Sequence, residues 1–226
     1  MVPFSFAGEE MALAGGLALY WPRERALLVA DLHLEKASFY ARFGQLLPPY
    51  DSRETLGRLA DAIRQTGARR VFCLGDNFHD AAGAERLEPH ALGMLEALAR
   101  STDWVWVAGN HDLGQVPLGT AVEELELSGL VLRHEALPGE ARPELSGHFH
   151  PRLKVTARGR RVVRPCAVAS ERKLILPAFG ALTGGMDAAD PAIIAAMQPA
   201  RAVDALLGVQ GRLVQYPLWR GEPMSA

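Results

Sequence analysis

Three apolar runs in the first half of the chain, Ala26 to Ala30, Arg70 to Leu74 and Trp104 to Ala108, each stop on a polar cluster. The clusters are Asp31-Leu-His33, Gly75-Asp76 and Gly109-Asn110-His111-Asp112. Short apolar runs of this kind read as buried strands. Between them lie two amphipathic stretches, Leu56, Leu59, Ala60 and Ile63, then Leu92, Leu95, Leu98 and Ala99, both at helical spacing. Asp51 is expected to cap the first helix, with Glu54 completing a capping box and Gly67 terminating it. A βαβαβ order requires parallel strands with crossover helices. Successive strand ends, with the polar groups they carry, then come to one edge of a sheet.

The second half changes character. Leu130 to Leu132, Leu145, Leu153 to Thr156, Arg161 to Val163 and Lys173 to Leu176 read as short strands, with Arg158-Gly159-Arg160 a turn between two of them. Pro191 to Met197 reads as a helix, and Ala205 to Leu207 with Arg212 to Tyr216 as a hairpin around Gly211. Here too the polar groups follow apolar runs: His134 after Leu130 to Arg133, and Gly147-His148-Phe149-His150 after Leu145. An α/β half and a β-rich half in 226 residues suggest two sheets packed face to face with helices outside.

This length fits one domain, residues 1–226, with an N-terminal strand or hairpin over residues 1–22 turning at Gly15-Gly16 and a frayed tail over residues 221–226. The apolar stretch Met11 to Pro22 is too short to span a bilayer, and Glu9 and Glu10 precede it where a secretory leader carries basic residues. No membrane association is expected. With a net charge of −2, any nucleic-acid contact must rest on a local basic surface. Cys73 and Cys166 make no disulfide framework, and a cytoplasmic location is expected.

The polar clusters hold the side chains that bind divalent ions. In extended chain, residues two apart point to one face, so Asp31 with His33, and His148 with His150, are each expected to reach a common side. Asp76 and Asn110 follow glycines that let the backbone turn beneath a ligand. Carboxylate, imidazole and amide donors suit manganese, iron or zinc, and the lack of a neighbouring cysteine argues against a structural thiolate site. His79, one turn after Asp76, either lines a substrate cleft or braces the site from behind. His90 is expected to face solvent and Phe149 to point away from the metals into packing.

Together these clusters, in this order, resemble the calcineurin-like metallophosphoesterase superfamily. Asp31-Leu-His33-Leu-Glu-Lys36, Leu47-Pro-Pro-Tyr50, Arg53-Glu-Thr55 and the stretch Leu176 to Gly185 are similar to its bacterial ligase-associated branch. The resemblance implies a four-layer α/β/β/α sandwich of two mixed sheets flanked by helices, with the site at the strand ends. It implies two divalent ions, Mn2+ foremost with Fe2+ or Zn2+ as alternatives. One would be held by Asp31, His33, Asp76 and His150, the other by Asp76, Asn110, His134 and His148, so that Asp76 bridges them. The implied reaction is phosphodiester hydrolysis by in-line attack of a metal-bridging hydroxide. His111, beside a ligand rather than one itself, is assigned to protonate the departing alkoxide, with Asp112 orienting it or merely capping a turn.

The substrate implied by that branch is DNA, cut by an endonuclease or phosphodiesterase linked to repair and associated with an ATP-dependent DNA ligase and a helicase. Arg152, Lys154, Arg158, Arg160, Arg161, Arg164, Arg172 and Lys173 follow the last ligands with only Glu171 as an acid among them. Such a stripe either tracks a phosphate backbone, Arg152 and Lys154 nearest the metals, or is a solvated strand face. The alternatives are a phosphatase, a small-nucleotide hydrolase, or a scaffold that has lost catalysis.

Overall fold

The protein was analysed as a computed structural model that describes residues 1–111, 118–157 and 159–221. Its first sheet has seven strands in sequence order: β1 (Val2–Phe6), β2 (Glu9–Ala14), β3 (Ala18–Trp21), β4 (Ala26–Ala30), β5 (Arg70–Leu74), β6 (Asp103–Val107) and β7 (Thr120–Val122). The first four run antiparallel, β2 turning into β3 at Gly15-Gly16, and β4 to β7 run parallel. The second sheet draws on β8 (Leu125–Leu127), β9 (Leu130–Leu132) and β10 (Glu144–Ser146). The strands β11 (Arg152–Ala157) and β12 (Arg160–Pro165) form a separate two-stranded sheet, with an isolated bridge from Arg152 to Asp187. The second sheet is completed by β13 (Ala167–Ala169), β14 (Lys173–Ile175), β15 (Ala202–Val209) and β16 (Arg212–Arg220), in the order β16-β15-β13-β14-β10-β9-β8. It is mixed, because β9, β10 and β14 are parallel and the other pairs antiparallel.

Alternation along the strands sorts side chains into layers. Leu28, Ala30, Phe72, Leu74, Val105 and Val107 face Leu132, Leu145, Leu174 and Leu206 across the space between the sheets. On the outer face of the first sheet, Leu27, Val29, Val71, Cys73 and Trp104 pack against Leu56, Leu59, Ala91 and Leu95. Those residues belong to the crossover helices. After the short α1 (Lys36–Ala41) come α2 (Asp51–Thr66), α3 (Gly83–Arg86) and α4 (Pro89–Ser101). The outer face of the second sheet, with Val168, Ile175, Val203 and Ala205, packs against Ile193, Ala196 and Met197 at α5 (Pro191–Ala196) and against Leu153 of β11. The result is an α/β/β/α sandwich. Among the described residues, no helix is long and apolar enough to cross a membrane.

One local expectation fails. Asp51 is the first helical residue of α2, Tyr50 holds the cap position, and no side chain caps that end. The Asp51 carboxylate instead turns inward and accepts the backbone N–H of Ala37 at 3.0 Å, satisfying an open donor at the start of α1. A buried demand on a neighbouring helix outweighs local capping. Gly67 does end α2, in the left-handed conformation with φ 67°.

Candidate metal centre

The strand ends of the two sheets meet at one edge. Asp31 follows β4, Asp76 follows β5, His111 follows β6, His134 follows β9, and His148 and His150 follow β10. Backbone bonds stitch the turns together: Asp31 N–H to Gly75 C=O at 3.2 Å, His33 N–H to Asp76 C=O at 2.8 Å, and Gly147 N–H to His134 C=O at 2.8 Å.

The expectation of extended chain at the ligand pairs is not met. Asp31, His33, Asp76, His148 and His150 all have positive φ, between 44° and 71°. Each is a left-handed turn residue, a conformation costing about 1–3 kcal/mol for a non-glycine residue. Five such residues at one edge mean that packing holds the backbone wound so that each donor aims inward. The winding also separates neighbours: His150 joins Asp31 and His33, whereas His148 joins Asp76 and His134. Within each trio the donor atoms lie within 4.8 Å of one another.

Asp76 stands between the trios, 3.8 Å from His33 Nε2 and 3.5 Å from His134 Nε2. Asp31 Oδ1 is 3.4 Å from His150 Nε2 and 3.8 Å from His134 Nδ1. Both carboxylates are buried. Burial pushes the Asp31 carboxyl up from its ordinary range, opposed by the hydrogen bond and charge of His150 and by the charge of His134. Burial likewise drives His33 down to about 2, helped by the charges of His150 and Lys36. A neutral imidazole with a free lone pair is the form a metal requires.

The nitrogens are placed for a cation. His33 Nε2 faces His150 Nε2 at 3.2 Å, and His148 Nδ1 faces His134 Nε2 at 3.0 Å. His134 Nδ1 lies 3.2 Å from the Leu74 carbonyl, which a proton on that nitrogen satisfies and which turns the Nε2 lone pair toward His148 and Asp76. Facing imidazole nitrogens with buried carboxylates at 3.4–3.8 Å form a donor set that a divalent ion fits. Space is kept by glycine: a Cβ on Gly75 would sit 2.0 Å from His134 Nδ1, and one on Gly109 2.1 Å from Asp76 N.

His111 joins neither trio. It is 47% exposed, with Nε2 3.9 Å from Asp76 Oδ2 and its ring edge-on to His33 at 5.6 Å. Asn110 stands exposed in the same turn, and Asp112 lies outside the described residues. His79 stacks on His111 at 5.7 Å and 13°, and touches Phe39 and Tyr40 edge-on and tilted. Its Nδ1 is buried without a hydrogen-bond partner, and it stands at the wall of the site. His90 is exposed, and Phe149 packs against the core outside the second sheet.

The candidate residue that pattern reading passes over is Lys36. It is half-buried, and its charge lowers both His33 and His79. Burial pulls its own ammonium below the ordinary value, partly offset by Asp51. The signal in the sequence is its place at the end of the Asp31–Lys36 motif, three residues after His33 and first in α1, whose Phe39 and Tyr40 touch His79. Lys154 of the basic stripe is 3.8 Å from Asp187, and Arg152 borders His150.

Two mixed sheets between helices, with paired His/Asp trios at the strand ends, define a metallophosphoesterase: a metal-dependent phosphoesterase hydrolase. The sequence profile of the calcineurin-like phosphoesterase family matches residues 24–163, and the chain belongs to that family. Among solved structures the protein is similar to the nuclease MPE of Pseudomonas putida, at 31% identity over 95% of this chain and 98% of that one, with a TM-score of 0.71. It is also similar to Yfce, a phosphoesterase from E. coli, at 15% identity over 85% of this chain and 98% of that one, with a TM-score of 0.40. A conserved uncharacterized protein of Streptococcus pneumoniae, a predicted phosphoesterase, matches at 15% identity over 85% of this chain and 96% of that one, with a TM-score of 0.34. A search of curated proteins returned no match.

Proposed function

We propose that the protein is a phosphodiesterase acting on DNA, an endonuclease linked to repair. The observation that carries this reading is His111: an imidazole outside both ligand trios, with Nε2 3.9 Å from the Asp76 carboxylate, and open to solvent where a leaving group would depart. A diester of a nucleic acid leaves as an alkoxide, which needs a proton that an aryl leaving group does not. Similarity to the P. putida nuclease along nearly the whole chain supports the same substrate class.

Asp31, His33, Asp76 and His150 would hold one ion, and Asp76, Asn110, His134 and His148 the other, with manganese foremost among divalent ions of this preference. When bound, the pair supplies charge neutralisation at the phosphoryl oxygens and activation of water. The chain supplies the rest. Asp76 lies between the trios and holds them together. His111 donates the proton at the departing oxygen, and His79, stacked on it, keeps that ring upright. Functional association with an ATP-dependent DNA ligase and a helicase follows from the branch to which Asp31–Lys36 and Leu176–Gly185 are similar.

An assay grid tests the proposal: bis-aryl phosphodiester, aryl monophosphate, single-stranded DNA and duplex DNA, each with Mn2+, Fe2+ or Zn2+. Hydrolysis of the diester and internal cutting of DNA are expected, highest with Mn2+. His111→Ala is expected to lower kcat on DNA by about 10²–10⁴. Absence of metal-stimulated diesterase activity, or DNA cleavage unaffected by His111→Ala, overturns the reading.

A further inference from the structure

Next to His150 the surface opens into a cavity of about 220 Å³. Its walls include Arg58 of α2, Arg152 at the start of β11, Leu17 before β3, and the loop residues Gly180, Ala181, Thr183 and Gly184. It continues past Arg58 and Leu17 into a second hollow of about 180 Å³ bordered by Gln65 and Phe179. A larger cavity of about 450 Å³ lies far from the metal residues, between β1 and β13–β16, and brings no cation to its walls.

Arg152 is the unusual member. It is half-buried, yet no carboxylate stands within 4.0 Å of its guanidinium among the described residues, and Nη2 donates only to the Thr183 carbonyl at 3.2 Å. A part-buried cation left with spare donors costs stability unless something else pairs with it. The fold makes room for it. A Cβ on Gly185 would sit 2.7 Å from Arg152 Cδ and 2.8 Å from Cγ, so the bare Gly185 backbone leaves a slot for its stem. The loop is pinned in turn: Ala181 N–H donates to Thr55 Oγ1 at 3.0 Å, and Gly180 N–H to the carbonyl of Asp31 at 3.2 Å. The guanidinium is therefore held in register with a metal-site residue. Arg58 enters from the other wall, its Nη2 paired with Glu54 one turn earlier on α2.

We infer that this groove is a subsite for the nucleotide beside the bond being cut, Arg152 and Arg58 taking its phosphate and the hollow at Leu17 and Gln65 taking its base. The inference rests on the DNA reading above. It explains what the metal residues alone leave open: how a polymer is preferred over a small diester that presents only one phosphate.

The test is a ratio. The kcat/KM for a short single-stranded oligonucleotide is divided by that for the bis-aryl diester, in the metal-loaded protein and in Arg152→Ala, Arg152→Lys and Arg58→Ala. The ratio is expected to fall at least tenfold in each alanine variant and to recover in part with Arg152→Lys. The slope of log KM against log salt is expected to shrink by about one per lost phosphate contact. An unchanged ratio and slope in both alanine variants, in protein that cuts DNA, overturns the subsite and leaves the DNA reading standing. Wild-type protein that hydrolyses the diester but neither binds nor cuts the oligonucleotide overturns both. Arg58 lies on a different element from Arg152, so misfolding of one variant does not remove the test.

Discussion

Asp76 Oδ1 accepts the backbone N–H of His111 at 3.0 Å, across 35 residues of sequence. This bond ties the carboxylate between the two ligand trios to the turn that carries the candidate acid. The contact closes only because Gly109 lets the two strand ends approach.

Gly109→Ala is accordingly expected to push Asp76 and the His111 turn apart. Overpacking of this kind costs about 1–3 kcal/mol in stability, read by urea denaturation. Loss of a bond that orients a metal ligand lowers activity roughly 10–100-fold. A variant with wild-type activity refutes the coupling.

Removing divalent ions with a chelator is expected to lower stability, because the apo site leaves imidazole nitrogens facing one another and two carboxylates buried. An ion at 100 times its Kd stabilises by about 2.7 kcal/mol, which for a domain of this size is roughly 5–10 °C in Tm. Calorimetry with and without Mn2+ reads the difference, and identical Tm values count against binding at these trios.

Far from the site, Lys173 and Glu144 are both fully buried, 3.4 Å apart, with Lys173 Nζ also donating to the carbonyls of Leu137 and Ala196. Arg133 approaches the same carboxylate at 3.3 Å. Lys173→Met strands part of that charge and is expected to cost about 3–5 kcal/mol. Burial already raises the Glu144 carboxyl, with Lys173 and Arg133 opposing it. A raised folded-state value means that the folded protein takes the proton more readily. Stability is then present at low pH and lost as pH rises through that range. The deficit of Lys173→Met is expected to shrink as pH falls toward the ordinary carboxylate range, in denaturation curves taken at a series of pH values.

Cys73 and Cys166 are both buried, and burial pushes the Cys166 thiol up to about 12. Burial shields both side chains from reagent, and the Cys166 thiol keeps its proton at neutral pH. The native protein is expected to show no thiol reactive toward an arylating reagent, and two after denaturation. A fast-reacting thiol in the native state contradicts the packing around β5 and β13.

Much of this was legible in the chain itself. The alternation of apolar runs and helical spacing from Ala26 to Val107 reports which faces are buried, so the parallel half and its strand-end clusters could be read directly. Donor types and their order were equally plain, since Asp, Asn and His next to glycine need no tertiary context to be recognised. Tertiary structure decided how those donors are shared. His148 and His150 are two residues apart, yet they part company because both lie in left-handed turns. Asp51 abandoned its own helix end for Ala37. Arg152 was one cation in a stripe until the slot at Gly185 and Arg58 gave it a groove. Sequence periodicity reports only the faces of single elements. Which strand ends meet, and how far the backbone must wind to aim a side chain there, depends on two sheets closing over residues more than a hundred positions apart.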